Sequence, residues 1–210
     1  MKFQTLALAK HPLPRVWGAM RDELSQLARH LDDIESITAT ERTESPEQIS
    51  IVNIWRAKPK LPEILARHVD TTMFAWTDRA VWDDKSKICR WRIEPHVFSS
   101  YFDSRGETRF EPAMGGRGTR ITFSGEADIK IGLVGNGVRK VIEDTLLKGA
   151  MSFAQGVISK NFRKIVDALE TYLDAEARKA CSLQSGSSKS SQKRRIAIKR
   201  KGRDQARQRR

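Results

Sequence analysis

The chain has 210 residues, with 39 Lys+Arg against 26 Asp+Glu, a net charge of +13. This length supplies an independent core without disulfide or metal staples, and no run of about 18 apolar residues offers a membrane-spanning helix. Two distant cysteines, Cys89 and Cys181, and four scattered histidines supply neither a disulfide framework nor structural zinc.

The N-terminal apolar stretch is short and interrupted, unlike a secretory signal. With the cysteine usage, it makes the reducing cytoplasm the expected setting. Phe3 to Ala9 reads as a first strand, ended by His11-Pro12-Leu13-Pro14 because proline has no N–H for a ladder. Val16, Trp17, Met20, Leu24, Leu27 and Leu31 recur at three- and four-residue steps, which predicts two short helices over 14–23 and 24–32.

From 36 to 131 the period changes to that of consecutive strands, predicted at 36–43, 48–57, 70–82, 87–98, 104–111 and 118–131. Ile49, Ile51, Asn53 and Trp55 fall on one face of the second of these. Trp91, Ile93 and Val97 share a face, with Arg90, Arg92, Glu94 and His96 opposite. Ile121, Phe123, Ala127 and Ile129 share another, opposite Arg120, Thr122, Ser124, Glu126 and Asp128. One apolar and one charged face predict an antiparallel sheet with one solvated side. Gly115-Gly116-Arg117-Gly118 predicts the turn between the last two strands, and the β-like residues after it exclude a phosphate loop, which needs a helix.

From Asn136 the helical period returns, with Phe153, Val157, Phe162, Ile165 and Leu169 on one stripe. Gly149 and Gly156 are candidate breaks, so a short helix over 136–147 and a main one over 150–177 are expected. The order is that of an α+β domain, in which the C-terminal helix covers the apolar face of the sheet.

The charge is unevenly spread. Residues 184–210 hold eleven basic residues and one acid, a net of +10, which leaves +3 for residues 1–183. Ser and Gly open this tail, and no aromatic residue follows Tyr172. Such a segment cannot bury enough apolar surface to offset its ordering entropy. The expected organisation is a domain over 1–180 and a disordered linker and basic tail over 181–210. Lys193, Arg194, Arg195, Lys199, Arg200 and Lys201 are its candidate phosphate contacts. It suits nonspecific nucleic acid or an anionic membrane surface, and a merely solubilising extension has the same composition.

Several constellations are candidate sites. Arg92, Glu94 and His96 alternate on the charged face; proton transfer is one use of them, but a solvated outer face is the favoured explanation, because Trp91 and Ile93 need the inner face. Trp76-Thr77-Asp78-Arg79 and Trp82-Asp83-Asp84 carry acids at what reads as turn chemistry, without the glycine pattern of a calcium loop. No nucleophile elbow, metal spacing or cofactor motif is present, so neither catalytic residues nor a metal or cofactor are assigned.

The ordered motifs then show a likeness. Pro14-Arg15-Val16-Trp17 opens the first helix, and Phe110-Glu111-Pro112 precedes Gly115-Gly116-Arg117-Gly118-Thr119-Arg120-Ile121-Thr122-Phe123. With the element order, these resemble the START-like superfamily of polyketide cyclases, Bet v 1-type proteins and lipid-transfer domains, over roughly residues 1–175. Leu61-Pro62 and the stretch Gly125 to Gly135 are similar to an uncharacterised domain family within it. The resemblance implies a helix-grip fold: a curved antiparallel sheet of six to seven strands around the long C-terminal helix, with a hydrophobic cavity between them. Ten of the fifteen aromatics lie between Trp55 and Phe123, where the resemblance puts the cavity wall.

The expected ligand-binding residues are Asn53, Trp55, Phe74, Trp76, Trp91, Phe110, Phe123, Phe153 and Val157. For any single aromatic among them, core packing is the favoured explanation over ligand contact. Asn53 is the one polar member, and a buried amide needs hydrogen-bond partners. The expected function is non-catalytic binding of a hydrophobic small molecule or lipid. A cyclase/aromatase-type enzyme using the same cavity, with Asn53 and His96 as its polar groups, is the alternative. An RNA- or ribosome-associated role through the tail is a third.

Overall fold

A seven-stranded antiparallel sheet in the order β1-β7-β6-β5-β4-β3-β2 organises the chain. The structure is a computed structural model that describes residues 1–58, 74–96, 102–129 and 160–182. The strands are β1 (Lys2–Ala9), β2 (Ile34–Glu44), β3 (Gln48–Ala57), β4 (Ala75–Asp83), β5 (Ile88–Pro95), β6 (Phe102–Ala113) and β7 (Gly118–Ile129). Two short helices, α1 (Leu13–Asp22) and α2 (Leu24–Leu27), follow β1. In the helix over 160–182, α3, Phe162 stacks on Phe123 of the sheet. This is the helix-grip architecture that the sequence likeness implies. The chain separates into two units, Met1–Tyr172 and Leu173–Arg210.

Local chemistry explains the element ends. The Pro12 carbonyl accepts the N–H of Arg15 and Val16 at 3.0 and 3.2 Å and so starts α1, with Pro14 in the first turn, where its missing N–H costs nothing. Glu23, at φ −117°, separates α1 from α2. The second helix is shorter than the period predicts: after four residues it tightens into a 3-10 turn, Ala28–His30, and Leu31 is already extended. The β4–β5 turn closes on Asp83, whose carboxylate accepts the N–H of Lys85 and Ser86 at 2.9 Å each. In the β6–β7 turn, Gly115 and Gly116 take φ +65° and +84°, conformations without cost only for glycine.

The β4 strand begins at Ala75: Phe74, within the predicted 70–82 strand, is not strand, and residues 70–73 lie outside the described set, as does the predicted helix over 136–147. At the other end, α3 runs five residues beyond the predicted 177.

Helix α1 is fixed to the sheet by Trp17. Its ring meets Trp82 of β4 and Phe110 of β6 edge-on, at 5.0 and 5.1 Å between centroids. Its Nε1–H donates to Asp84 at 2.6 Å. The guanidinium of Arg21, one helical turn on, grips the same carboxylate at 2.9 and 3.0 Å. This cluster holds the Asp84 carboxyl below the usual carboxylate range: burial pushes it up, but the hydrogen bonds from Lys87 and Trp17 and the charges of Arg21 and Lys87 outweigh burial. On the solvated face, Arg79–Glu94, Arg92–Asp103 and Arg105–Glu126 pair across strands, and solvent screening leaves such exposed pairs little weight in stability.

Candidate functional site

The register arranges the inner face of the sheet in rungs. One rung runs Ile51, Ala80, Trp91, Gly106, Gly125, Phe3 across six strands. Its small residues make room for the Trp91 indole. A Cβ on Gly106 would lie 2.6 Å from Trp91 Cζ2, and one on Gly125 would lie 2.8 Å from Trp91 Cη2. The ring is stacked on Phe123 at 4.7 Å, and Phe123 in turn on Phe162 of α3 at 5.2 Å. Phe3 completes the column, 5.6 Å from Phe123. Stacked aromatic pairs contribute about 0.5–1.5 kcal/mol beyond the area they bury.

The adjacent rung is polar. It runs Asn53, Asp78, Ile93, Ser104, Ala127. Asn53 and Ser104 are buried at 6 % and 3 % exposure, and Asp78 is half-buried. Asp78 shares a strand face with Trp76, Ala80 and Trp82, so its carboxylate enters an aromatic environment. Desolvation pushes the Asp78 carboxyl from 3.8 up to about 6, against the opposing pull of hydrogen bonding from Trp55 and Asn53. Among the described residues, the buried Nε1 atoms of Trp82 and Trp91 have no partner. The Trp55 ring is stacked on Trp76, 5.6 Å away, one rung along from Asp78.

The expected residues therefore divide. Asn53, Trp55 and Trp76 gather with Asp78 on neighbouring rungs of β3 and β4. Trp91 and Phe123 are members of the aromatic column under α3, and Phe110 packs with Trp17 and Trp82 beneath α1. Phe74 is half-buried just before β4. Phe153, Val157 and the basic candidates Lys193, Arg194, Arg195, Lys199, Arg200 and Lys201 lie outside the described residues. His96 is exposed on the outer face, its ring 3.0 Å from the Thr77 hydroxyl.

Asp78 was missed because it reads as part of a short acidic cluster. The alternation Trp76, Asp78, Ala80, Trp82 carries the signal that turns it inward. The Cys89 thiol, also on the inner face, is pushed up well above its usual value by burial and then by the Asp78 charge, which leaves it an inert thiol. Among the described residues no cluster of three metal-ligating side chains occurs, and no helix is long and apolar enough to cross a membrane. A groove of about 490 Å³ opens on the sheet between the outward side chains of Lys2, Arg90, Arg105 and Glu126, floored by Gly106 and Gly125. It is separate from the polar rung.

Residues 7–152 match the protein family of unknown function DUF2505. The chain belongs to this family. No curated protein matches this DUF2505 chain. Among solved structures it is similar to TTHA0849 from Thermus thermophilus, with a TM-score of 0.58 and 16% identity over 82% of this chain and 99% of the other. It is also similar to the Zhui aromatase/cyclase from Streptomyces sp. R1128, with a TM-score of 0.57 and 15% identity over 86% and 97%. At these identities the likeness is one of fold alone.

Proposed function

We propose that the protein binds a hydrophobic small molecule or lipid on the inner face of the sheet, beside the Asn53–Asp78 rung, without transforming it. The observation that carries this reading is the state of Asp78. Its carboxyl is strongly desolvated, yet the residue keeps accessible surface. A partly accessible carboxyl on a face shared with Trp76 and Trp82 supports a recess at this rung. Aromatic walls with a few convergent polar groups are what a small-molecule site needs.

A cyclase/aromatase-type reaction is the second reading. It is supported by the same acid, because a carboxyl titrating near 6 moves protons at neutral pH. The fold shared with the Zhui aromatase/cyclase is compatible with it. In that reading Asp78 takes the place that the sequence suggested for His96.

For the tail, the net of +10 over residues 184–210 supports a separate electrostatic role on RNA. One experiment addresses both parts. Organic extraction of the purified full-length protein, followed by mass spectrometry, is expected to release an apolar molecule in near-stoichiometric amount. Deleting residues 184–210 is expected to leave that molecule bound and to remove salt-sensitive RNA binding. An extract without any apolar molecule, from protein that also fails to take one up when offered, overturns the binding reading. RNA binding unchanged by the deletion overturns the role of the tail.

A further inference from the structure

We propose that two copies of this chain pair along β1, an edge strand of the sheet, in an antiparallel two-fold register that sets Leu6 opposite Leu8 of the partner subunit. β1 stands at one end of the strand order, so one side of its backbone has no neighbouring strand in the sheet. Met1 and Ala127 exchange both backbone hydrogen bonds, at 2.7 and 2.8 Å. Bonded pairs alternate in an antiparallel ladder, so the odd residues of β1 bond to β7. The N–H and C=O groups of Gln4, Leu6 and Leu8 therefore point to the open side. Lys10 has the same phase, and its N–H donates to the Glu170 carboxylate of α3 at 2.7 Å, which marks where the open edge ends.

The side chains at this edge fit a second copy. Among the described residues the exposed large hydrophobics are Leu6, Leu8 and Met114, each about half exposed. Leu6 and Leu8 share the outer face of β1, and Met114 lies over Gly118 beside the end of the same strand. Edge strands are ordinarily guarded by a charge, a proline or a bulge, and residues 3–9 carry none of the three. Two-fold symmetry allows few registers, because facing residues must share a face of the sheet. Centred on Leu6, it sets Lys2 against Lys10 of the partner subunit, and like charges directly opposite destabilise. Centred on Thr5 or Leu8, it sets a leucine against a lysine. Centred on Ala7, it pairs Leu6 with the partner's Leu8 and Gln4 with the partner's Lys10, so the leucines meet and no two charges do. The edge is short, which puts the contact at the small end of interface sizes and makes the dimer weak and concentration-dependent.

The test is sedimentation velocity of the full-length protein from about 5 to about 500 µM, in about 0.15 M salt, which screens charges more than about 8 Å apart. We expect monomer at the low end and a rising share of dimer above it. Leu6→Lys/Leu8→Lys brings lysines opposite each other and is expected to weaken dimerisation at least about tenfold. Leu6→Lys/Leu8→Glu makes the same two positions polar but sets each lysine opposite a glutamate, and is expected to keep dimerisation within about threefold of wild type. Both positions are half exposed, so the melting temperature of each variant at about 5 µM should match wild type within about 2 °C.

A chain that stays monomeric throughout the range overturns the inference, whether its edge is left bare or is taken by a strand of another protein. Dimerisation that survives Leu6→Lys/Leu8→Lys overturns it too, as does equal loss in both double variants, because the register then differs. If a variant fails to fold, amide exchange of the wild type decides. The Leu6 and Leu8 N–H groups are expected to exchange at least about tenfold more slowly at the high concentration than at the low one, and unchanged exchange overturns the pairing.

Discussion

Asp78→Asn makes the protein more stable at pH 7.5, by about 2 kcal/mol, and no more stable at pH 4. Burial raises the Asp78 carboxyl from 3.8 in the unfolded chain to about 6 in the fold. Each pKa unit corresponds to about 1.4 kcal/mol, so the full cost of the charge is about 3 kcal/mol; the solvent that still reaches the half-buried residue brings the expectation down to about 2.

The sign follows from proton uptake. A carboxyl with a raised native pKa binds its proton more tightly folded than unfolded. Below 3.8 it is protonated in both states and costs nothing. Between 3.8 and 6 stability falls as pH rises, and above 6 the whole cost is present. Asparagine carries no charge and removes that pH-dependent share. Denaturant midpoints of wild type and Asp78→Asn, measured from pH 4 to 8, give the difference directly. A difference independent of pH, or a variant less stable at pH 7.5, contradicts the desolvated acid. The charges facing Asp78 among the described residues reduce to the Cys89 thiol, which is neutral throughout this range. Asp22, held low by Arg21 and Arg42, and Asp84, held low by Lys87, Trp17 and Arg21, titrate below the window and contribute equally to both proteins. Keeping such a charge makes sense in a binding site and not in a core, because sites hold groups that stability alone would remove.

The second large effect is on the sheet itself. Gly106→Val is expected to prevent stable folding, and Gly106→Ala to cost about 3 kcal/mol. A Cβ at this position meets the Ser124 carbonyl oxygen, the Gly125 Cα at 2.6 Å and Trp91 Cζ2 at 2.6 Å. Two of those three are backbone atoms of β7 and cannot swing aside, so the β6–β7 pairing must open where Trp91 sits. Gly18→Ala is the control. It lies inside α1 with nothing within 4 Å of the added methyl, and the change should stabilise the helix by about 1 kcal/mol. Thermal unfolding of the variants checks this. A Gly106→Ala protein as stable as wild type contradicts the close packing of Trp91 against the glycine pair.

These two sites show how far the residues can be read before folding. The strands were legible because the inner and outer faces differ so sharply in polarity. Ile49, Ile51 and Trp55 recur at a period of two on one face, and β3 spans Gln48–Ala57 as that period predicts. The helix-grip order was legible because one long apolar stripe at the C-terminus had only the sheet to cover.

The candidate site was legible in part. Asn53 stood out as a lone amide on an apolar face, but its partner Asp78 was grouped with Asp83 and Asp84 as turn chemistry. Local sequence cannot show that Asp78 and Asn53 share a rung; the β3–β4 register does that. The role of Gly106 was hidden for the same reason. It depends on Trp91 in one neighbouring strand and Gly125 in the other, a relation set by pairing and not by spacing. Trp17 was placed on the apolar face of α1, yet its hydrogen bond to Asp84, 67 positions away, is a product of the tertiary fold.

The central claim is that the inner face of the sheet holds a ligand at the Asn53–Asp78 rung. A crystal structure of the protein as purified, refined without added ligand, tests it most directly. The account predicts density for an apolar molecule along the Trp55–Trp76 pair, with a polar atom within hydrogen-bond distance of Asp78. A dry interior in which side chains fill that space would contradict it.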